Sequence, residues 1–235
     1  MICLTFDTDH MDEMRMGHFL DSVDIPGTGT FFCTQKYASL EQSRHETGPH
    51  PFLEEGADWK IELQKMRDMF PAAKGWRSHS CVFSHILAEW LGENGYSYAS
   101  TNDQFGQRGI QPIRQPWGIS HFPIYYMDNM DFSCGHFWDG EVEKPFAASF
   151  ISNALEDDGV YVFDFHPIHL LLNTPSREYY FSMRDKFKSG ADIDDLTFKG
   201  FGTLTFFESL CAQMHSQKKQ SLSLDQALML QSKGE

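Results

Sequence analysis

The chain opens on a short apolar run, Ile2 to Phe6, that stops at Asp7, Thr8, Asp9 and His10. Its length and residue types predict a buried strand. Residues 11 to 23 then carry Met14, Phe19, Leu20 and Val23 at roughly helical spacing. GTGTFFCT, residues 27 to 34, predicts a second strand entered through glycines, and the polar RHETGPH at 44 to 50 stays unassigned. An amphipathic helix follows over 58 to 70, closed by Pro71, and GWRSHS reads as a strand end. Residues 82 to 95 predict another helix, stopped by Gly95, and YSYAS at 96 to 100 alternates as a strand. Residues 110 to 126 hold two predicted strands around Pro116 to Gly118. A helix over 145 to 159 has Pro at its start and Gly after its end, the expected asymmetry. VYVFDFHP at 160 to 167 predicts a strand, residues 203 to 217 a helix, and the chain turns helical again from about Asp225.

No linker and no internal repeat divides this pattern, so residues 1–235 read as one domain. Strands alternating with helices favour parallel βα units with right-handed crossovers. The natural closure is a (β/α) barrel, in which chemistry gathers at the carboxyl ends of the strands. Asp7 and Asp9 follow the first strand, His50 ends RHETGPH, Arg77, Ser78 and His79 end GWRSHS, and His166 follows Val160 to Phe165. A parallel barrel would bring these ends to one face. The two aspartates could instead cap the next helix, but one carboxylate suffices for that.

The ordered set resembles the polysaccharide deacetylases of the NodB-homology type, carbohydrate esterase family 4. The first motif is matched by Thr5-Phe6-Asp7-Thr8-Asp9 and is followed by the strand GTGTFF. The second is matched by His45-Glu46-Thr47-Gly48-Pro49-His50, the third by Arg77, and the late strand ending in histidine by FDFHP with His166. The resemblance covers residues 2 to about 167 and implies a distorted (β/α)7 barrel. It also implies roles: Asp7 as general base, Asp9 and His50 as metal ligands, Arg77 holding the base carboxylate in place, and His166 as the acid that protonates the leaving amine.

One feature departs from the family pattern. The second motif normally carries a further histidine four residues on, where this chain has Glu54. Glu54 or Glu55 could supply an oxygen ligand, His79 could supply a nitrogen from another strand end, or the metal could be lost. His79 is the favoured third ligand, because zinc sites normally use three protein ligands and histidine is a common one. The expected cofactor is a divalent metal, zinc foremost.

Composition narrows the partners. The formal net charge of −14 argues against nucleic acid, which needs a basic footprint. The five cysteines are scattered without a CxxC, as expected of reduced thiols. No apolar run approaches membrane-spanning length, and the first strand starts at Ile2 with no visible signal peptide, so a cytoplasmic location is expected. The expected substrate is a carbohydrate, an acetamido sugar or glycan intermediate of surface polysaccharide assembly. Two other readings stand beside it. One is a catalytically inactive barrel of the same kind that binds a glycan or a protein, motivated by the absent histidine; the other is a hydrolase of another non-peptide C–N bond. Trp117, Tyr125, Tyr126, Phe137 and Trp138 are candidate sugar-stacking aromatics at the rim.

Overall fold

The computed structural model describes residues 1–53, 56, 58–134 and 145–232. Glu54, Glu55, Phe137 and Trp138 lie outside the described residues. Two sheets form the centre. The first is five-stranded and parallel, in the order β3 (Glu46–Pro49), β2 (Gly29–Cys33), β1 (Ile2–Asp7), β9 (Tyr161–Phe165), β8 (Ile124–Met127). The second runs β4 (Gly75–Trp76), β5 (Tyr98–Ala99), β7 (Ser120–His121), β6 (Ile113–Arg114), with β6 antiparallel at the edge. The fold is therefore mixed α/β around a parallel central sheet.

The two ladders are not continuous, yet backbone hydrogen bonds cross both seams. Arg77 N–H donates to the Pro49 carbonyl at 3.3 Å, joining β4 to β3. On the other side Ile124 N–H donates to Asn102 O and Gln104 N–H to Ile124 O, both at 2.8 Å. Residues 120 to 127 thus lie first along β5 and then along β9, turning at Phe122 and Pro123. The expectation of two strands in 110–126 is corrected to three, because this stretch serves both sheets.

The period of two along each strand separates two environments. Leu4 and Phe6 point outward to the helices. Phe6 stacks on Phe31 at 4.6 Å and meets Phe19 of α1 (Glu13–Ser22) at 5.7 Å. Phe207 of α10 (Thr203–Ser216) closes the same cluster. Cys3, Phe32, Tyr98, Phe122 and Val162 form a separate inner cluster with Leu224 and Ala227 of α11 (Leu224–Gln231), which covers the amino ends of the strands. The polar members of the same alternation, Thr5, Asp7 and Asp164, face the interior above that plug.

Residues 167–202, which show no clear period, fold as α7 (Pro167–Leu172), α8 (Arg177–Lys188) and α9 (Ile193–Leu196). Within the unassigned segment Glu46–Pro49 is β3, and His79–Cys81 is a 3₁₀ turn rather than strand. No helix among the described residues is long and apolar enough to cross a membrane. Tyr125 and Tyr126 are fully buried core residues, not rim residues, because β8 is covered on both faces.

Candidate active site

Arg77 organises the interior. Its guanidinium is completely buried and rests 4.4 Å from the centre of the Phe32 ring. Nε donates to Ser100 O and Nη2 to Ser100 Oγ, each at 2.7 Å. Nη1 faces Asp7 Oδ1 at 3.1 Å, Thr5 Oγ1 at 2.9 Å, and Asp164 Oδ1 in close contact. Thr5 Oγ1 also donates to Asp164 Oδ1 at 2.7 Å. A buried cation between two carboxylates offsets their desolvation, which otherwise costs several kcal/mol per ion, of order ~3–5 kcal/mol when one partner is removed. Burial pushes the Asp164 carboxyl above the usual carboxylate range despite that arginine.

Above this layer the strand ends converge. His50 is buried, and its Nδ1 lies 3.1 Å from the Arg77 carbonyl oxygen. That acceptor assigns the proton to Nδ1 and leaves the Nε2 lone pair facing inward. Nε2 stands 3.4 Å from Asp9 Oδ2 and 3.7 Å from Asp7 Oδ2. His79 Nδ1 approaches Asp9 Oδ1 at 3.2 Å, and His166 Nε2 approaches Asp9 Oδ2 at 3.6 Å. None of these contacts is a directed hydrogen bond: both Asp9 oxygens and His50 Nε2 are buried without a partner. Burial opposes the Asp9 charge, but the facing imidazoles of His50, His79 and His166 hold its carboxyl well below the usual range.

The backbone is bent to deliver these groups. His10, next to Asp9, has φ 61°, and Ser80 and Cys81, following His79, have φ 55° and 54°. Non-glycine residues in the left-handed region cost roughly 1–3 kcal/mol each and cluster at functional sites. The turn at Ser80 is tied down by His79 N–H donating to Pro51 O at 3.0 Å.

On the opposite flank His166 is held by a residue that the motif reading does not include. Asp128, the first residue of α5 (Asp128–Cys134), accepts from His166 N–H at 2.8 Å, with His166 Nδ1 2.8 Å from its other oxygen. Burial works against the imidazolium, but the Asp128 carboxylate outweighs it and raises His166 to about 10. His169 lies beside it with ring centres 5.2 Å apart, and burial lowers it to about 4.

Three groups of side chains are close enough to hold a metal: Asp9, His50 and His79; Asp128, His166 and His169; and Asp7, Asp164 and His166. In the second the Asp128 oxygens are occupied by His166 and Asn129 N–H. In the third both carboxylates already pair with Arg77. Asp164 Oδ2 in the third set is also buried without a partner, but its carboxylate is held by Arg77 through Oδ1. Among these sets the first alone offers two residues, Asp9 and His50, whose buried donor atoms have no other partner, which is the condition a cation satisfies. One ligand atom from each of Asp9, His50 and His79 falls within 4.8 Å of the others, and two nitrogens and an oxygen suit zinc. The group opens into a cavity of about 440 Å³ that Asp9, His10, His79, Phe132, His166 and Tyr180 help to line. Trp117 and the buried Tyr125 and Tyr126 do not line it.

Six strand-end residues read from the sequence, Asp7, Asp9, His50, Arg77, His79 and His166, therefore meet in one place. Asp128 and Asp164 were missed, although each carried the same signal: an acid closing the strand IYYM, and an acid two positions before His166 on the same face.

Carboxylates and imidazoles gathered at the ends of parallel strands are what the resemblance to the polysaccharide deacetylases implies. The chain belongs to the WbmS-like polysaccharide deacetylase family, whose pattern matches residues 4–184. Two solved structures share the fold. A Bordetella bronchiseptica protein, WbmS, described as a proposed polysaccharide deacetylase involved in O-antigen biosynthesis, is 24% identical, with a TM-score of 0.74 and 90% of each chain covered. A proposed polysaccharide deacetylase from Mycobacterium smegmatis is 19% identical, with a TM-score of 0.51 over 95% of this chain and 92% of that one. No curated protein matches the sequence.

Proposed function

We propose that this protein is a metal-dependent N-deacetylase acting on an acetamido sugar or glycan intermediate of surface polysaccharide synthesis. The observation that carries it is the buried, partnerless set of Asp9 Oδ1, Asp9 Oδ2 and His50 Nε2. Membership of the family and the Bordetella relative's described role in O-antigen biosynthesis support the substrate class.

Asp9, His50 and His79 would hold the cation. A divalent metal held there would supply an acidified water, its pKa lowered from about 16 to about 7, and polarisation of an acyl carbonyl. Asp7 accepts the proton of the attacking water as general base. Arg77, fixed by Ser100 and Asp164, keeps the Asp7 carboxylate aimed and compensates its charge. His166, held protonated at neutral pH by Asp128, delivers a proton to the departing nitrogen. The C–N bond breaks, and the products are acetate and the free amine.

The reading of an inactive binding barrel rests on the absent second-motif histidine. His79 Nδ1 beside Asp9 weighs against it, since a nitrogen stands where a third ligand is needed. The test is acetate release from N-acetylated sugars by protein stripped with chelator and reloaded with zinc. Metal-dependent release that disappears in Asp7→Asn supports the assignment. Release unaffected by either the chelator or the substitution would falsify it.

A further inference from the structure

The cavity over the site has a second wall that the deacetylase reading leaves unused. It is formed by α8, and Arg177, Tyr180 and Phe181 line it together with Asp9, His79 and His166. Phe181 is 49% exposed, and two guanidiniums flank its ring, those of Arg177 and Arg184, each 5.4 Å from the centroid. Arg184 is paired with Asp185 at 3.2 Å, whereas Arg177 makes no ion pair among the described residues.

The position of Arg177 is electrostatically poor for folding. It is the first residue of a twelve-residue helix, where the macrodipole disfavours a cation by roughly 0.3–1 kcal/mol. The local charge balance also runs against the molecule. The chain carries −14 overall, yet α8 places Arg177, Arg184, Lys186 and Lys188 against only Glu178 and Asp185. Of these four cations Arg177 is the one that lines the cavity. An arginine is always charged and offers a planar fork matched to carboxylate or phosphate oxygens.

Building on the deacetylase reading, we infer that the acetamido sugar bound here carries an anionic group, a carboxylate or a phosphate, received by Arg177. Arg177 then sets specificity and takes no part in the chemistry.

The test compares N-acetylglucosamine, its 1-phosphate and N-acetylglucosaminuronic acid by calorimetric binding to the zinc-loaded Asp7→Asn protein, so that no turnover intervenes. At least one acid should bind about tenfold or more tighter than the neutral sugar, the contribution of one hydrogen bond to a charged group. Which acid does so separates the phosphate source from the carboxylate. Adding Arg177→Gln should erase the preference, Arg177→Lys should keep part of it, and Lys60→Gln, on an exposed helix elsewhere, should leave it intact. Thermal unfolding confirms that each variant is folded. Equal binding of all three sugars, a preference that survives Arg177→Gln, or no binding of either acid overturns the inference. Acetate release by the parent is measured separately. Acid preference without release keeps the anion site and removes the deacetylase; release from the neutral sugar without acid preference does the reverse.

Discussion

The two ends of the strands place acids in opposite circumstances. At the amino end Glu46 lies under α11, and every oxygen is used: Oε1 accepts from Tyr98 at 2.6 Å, and Oε2 from Thr30 at 2.9 Å and from Asp225 N–H at 3.1 Å. At the carboxyl end Asp9 is buried with neither oxygen hydrogen-bonded. Burial raises Glu46 above the ordinary range in spite of its donors, whereas the imidazoles facing Asp9 lower it. A satisfied acid closes a floor, and the unsatisfied one among histidines is where the proposed cation would be held. The difference lies in the neighbours, since both are inward-facing acids at or just past a strand in one parallel fold.

The sharpest way to break this contrast is to remove the working acid. Asp7→Asn should cut acetate release by about 10²–10⁴-fold, the usual contribution of a general base, while zinc content measured by elemental analysis stays near one per chain. If zinc is lost as well, Asp7 belongs to the ligand set and the assignment of roles is wrong.

Next in size is the loss of a ligand. His50→Ala and His79→Ala should each lower zinc affinity and deacetylation together, and unfolding of the zinc-loaded protein should lose its metal-dependent stabilisation. Retention of full zinc binding by His79→Ala would show that the third ligand lies elsewhere.

The pH dependence of the metal-free protein gives a smaller effect of defined sign. His166 is raised to about 10, so the stability from its pair with Asp128 is fully present below the unfolded value near 6.5 and lost as pH rises through about 10. Asp128→Asn should flatten that alkaline decline in chemical unfolding curves. An unchanged decline would mean that another group carries it.

The smallest effect belongs to the floor. Glu46→Gln should change stability by only about 1–3 kcal/mol and leave deacetylation untouched. Because the folded pKa is raised, ionised Glu46 is a penalty present above that value and relieved as pH falls toward 4.5. The parent should therefore gain stability on mild acidification more than the Gln variant does; equal responses would deny Glu46 this role.

Much of the site was legible because its signals are local. A short apolar run that stops at an acid or a histidine shows both the strand and the group at its tip, so Asp7, Asp9, His50 and His166 could be read one by one. The same rule extends to Asp128 after IYYM and Asp164 within FDF, but their roles depend on partners 38 and 87 residues away, His166 and Arg77. Segment 167–202 escaped because its helices mix charged and aromatic residues without a clean period, and α8 proves to be a wall of the cavity.

By itself the sequence determined most of the strands and helices, the family, and the residues at the strand tips, since periodicity and motifs act over a few neighbouring positions. Only the tertiary structure decided which of those tips meet. It set His79 against Asp9 through a strained turn, placed Arg77 between two acids, and turned Tyr125 and Tyr126 into the core. The reason is that ligand sets and ion pairs are distances between strands remote in the chain, and the assembly of both sheets around a shared interior, not spacing along the chain, brings those distances to about 3–4 Å.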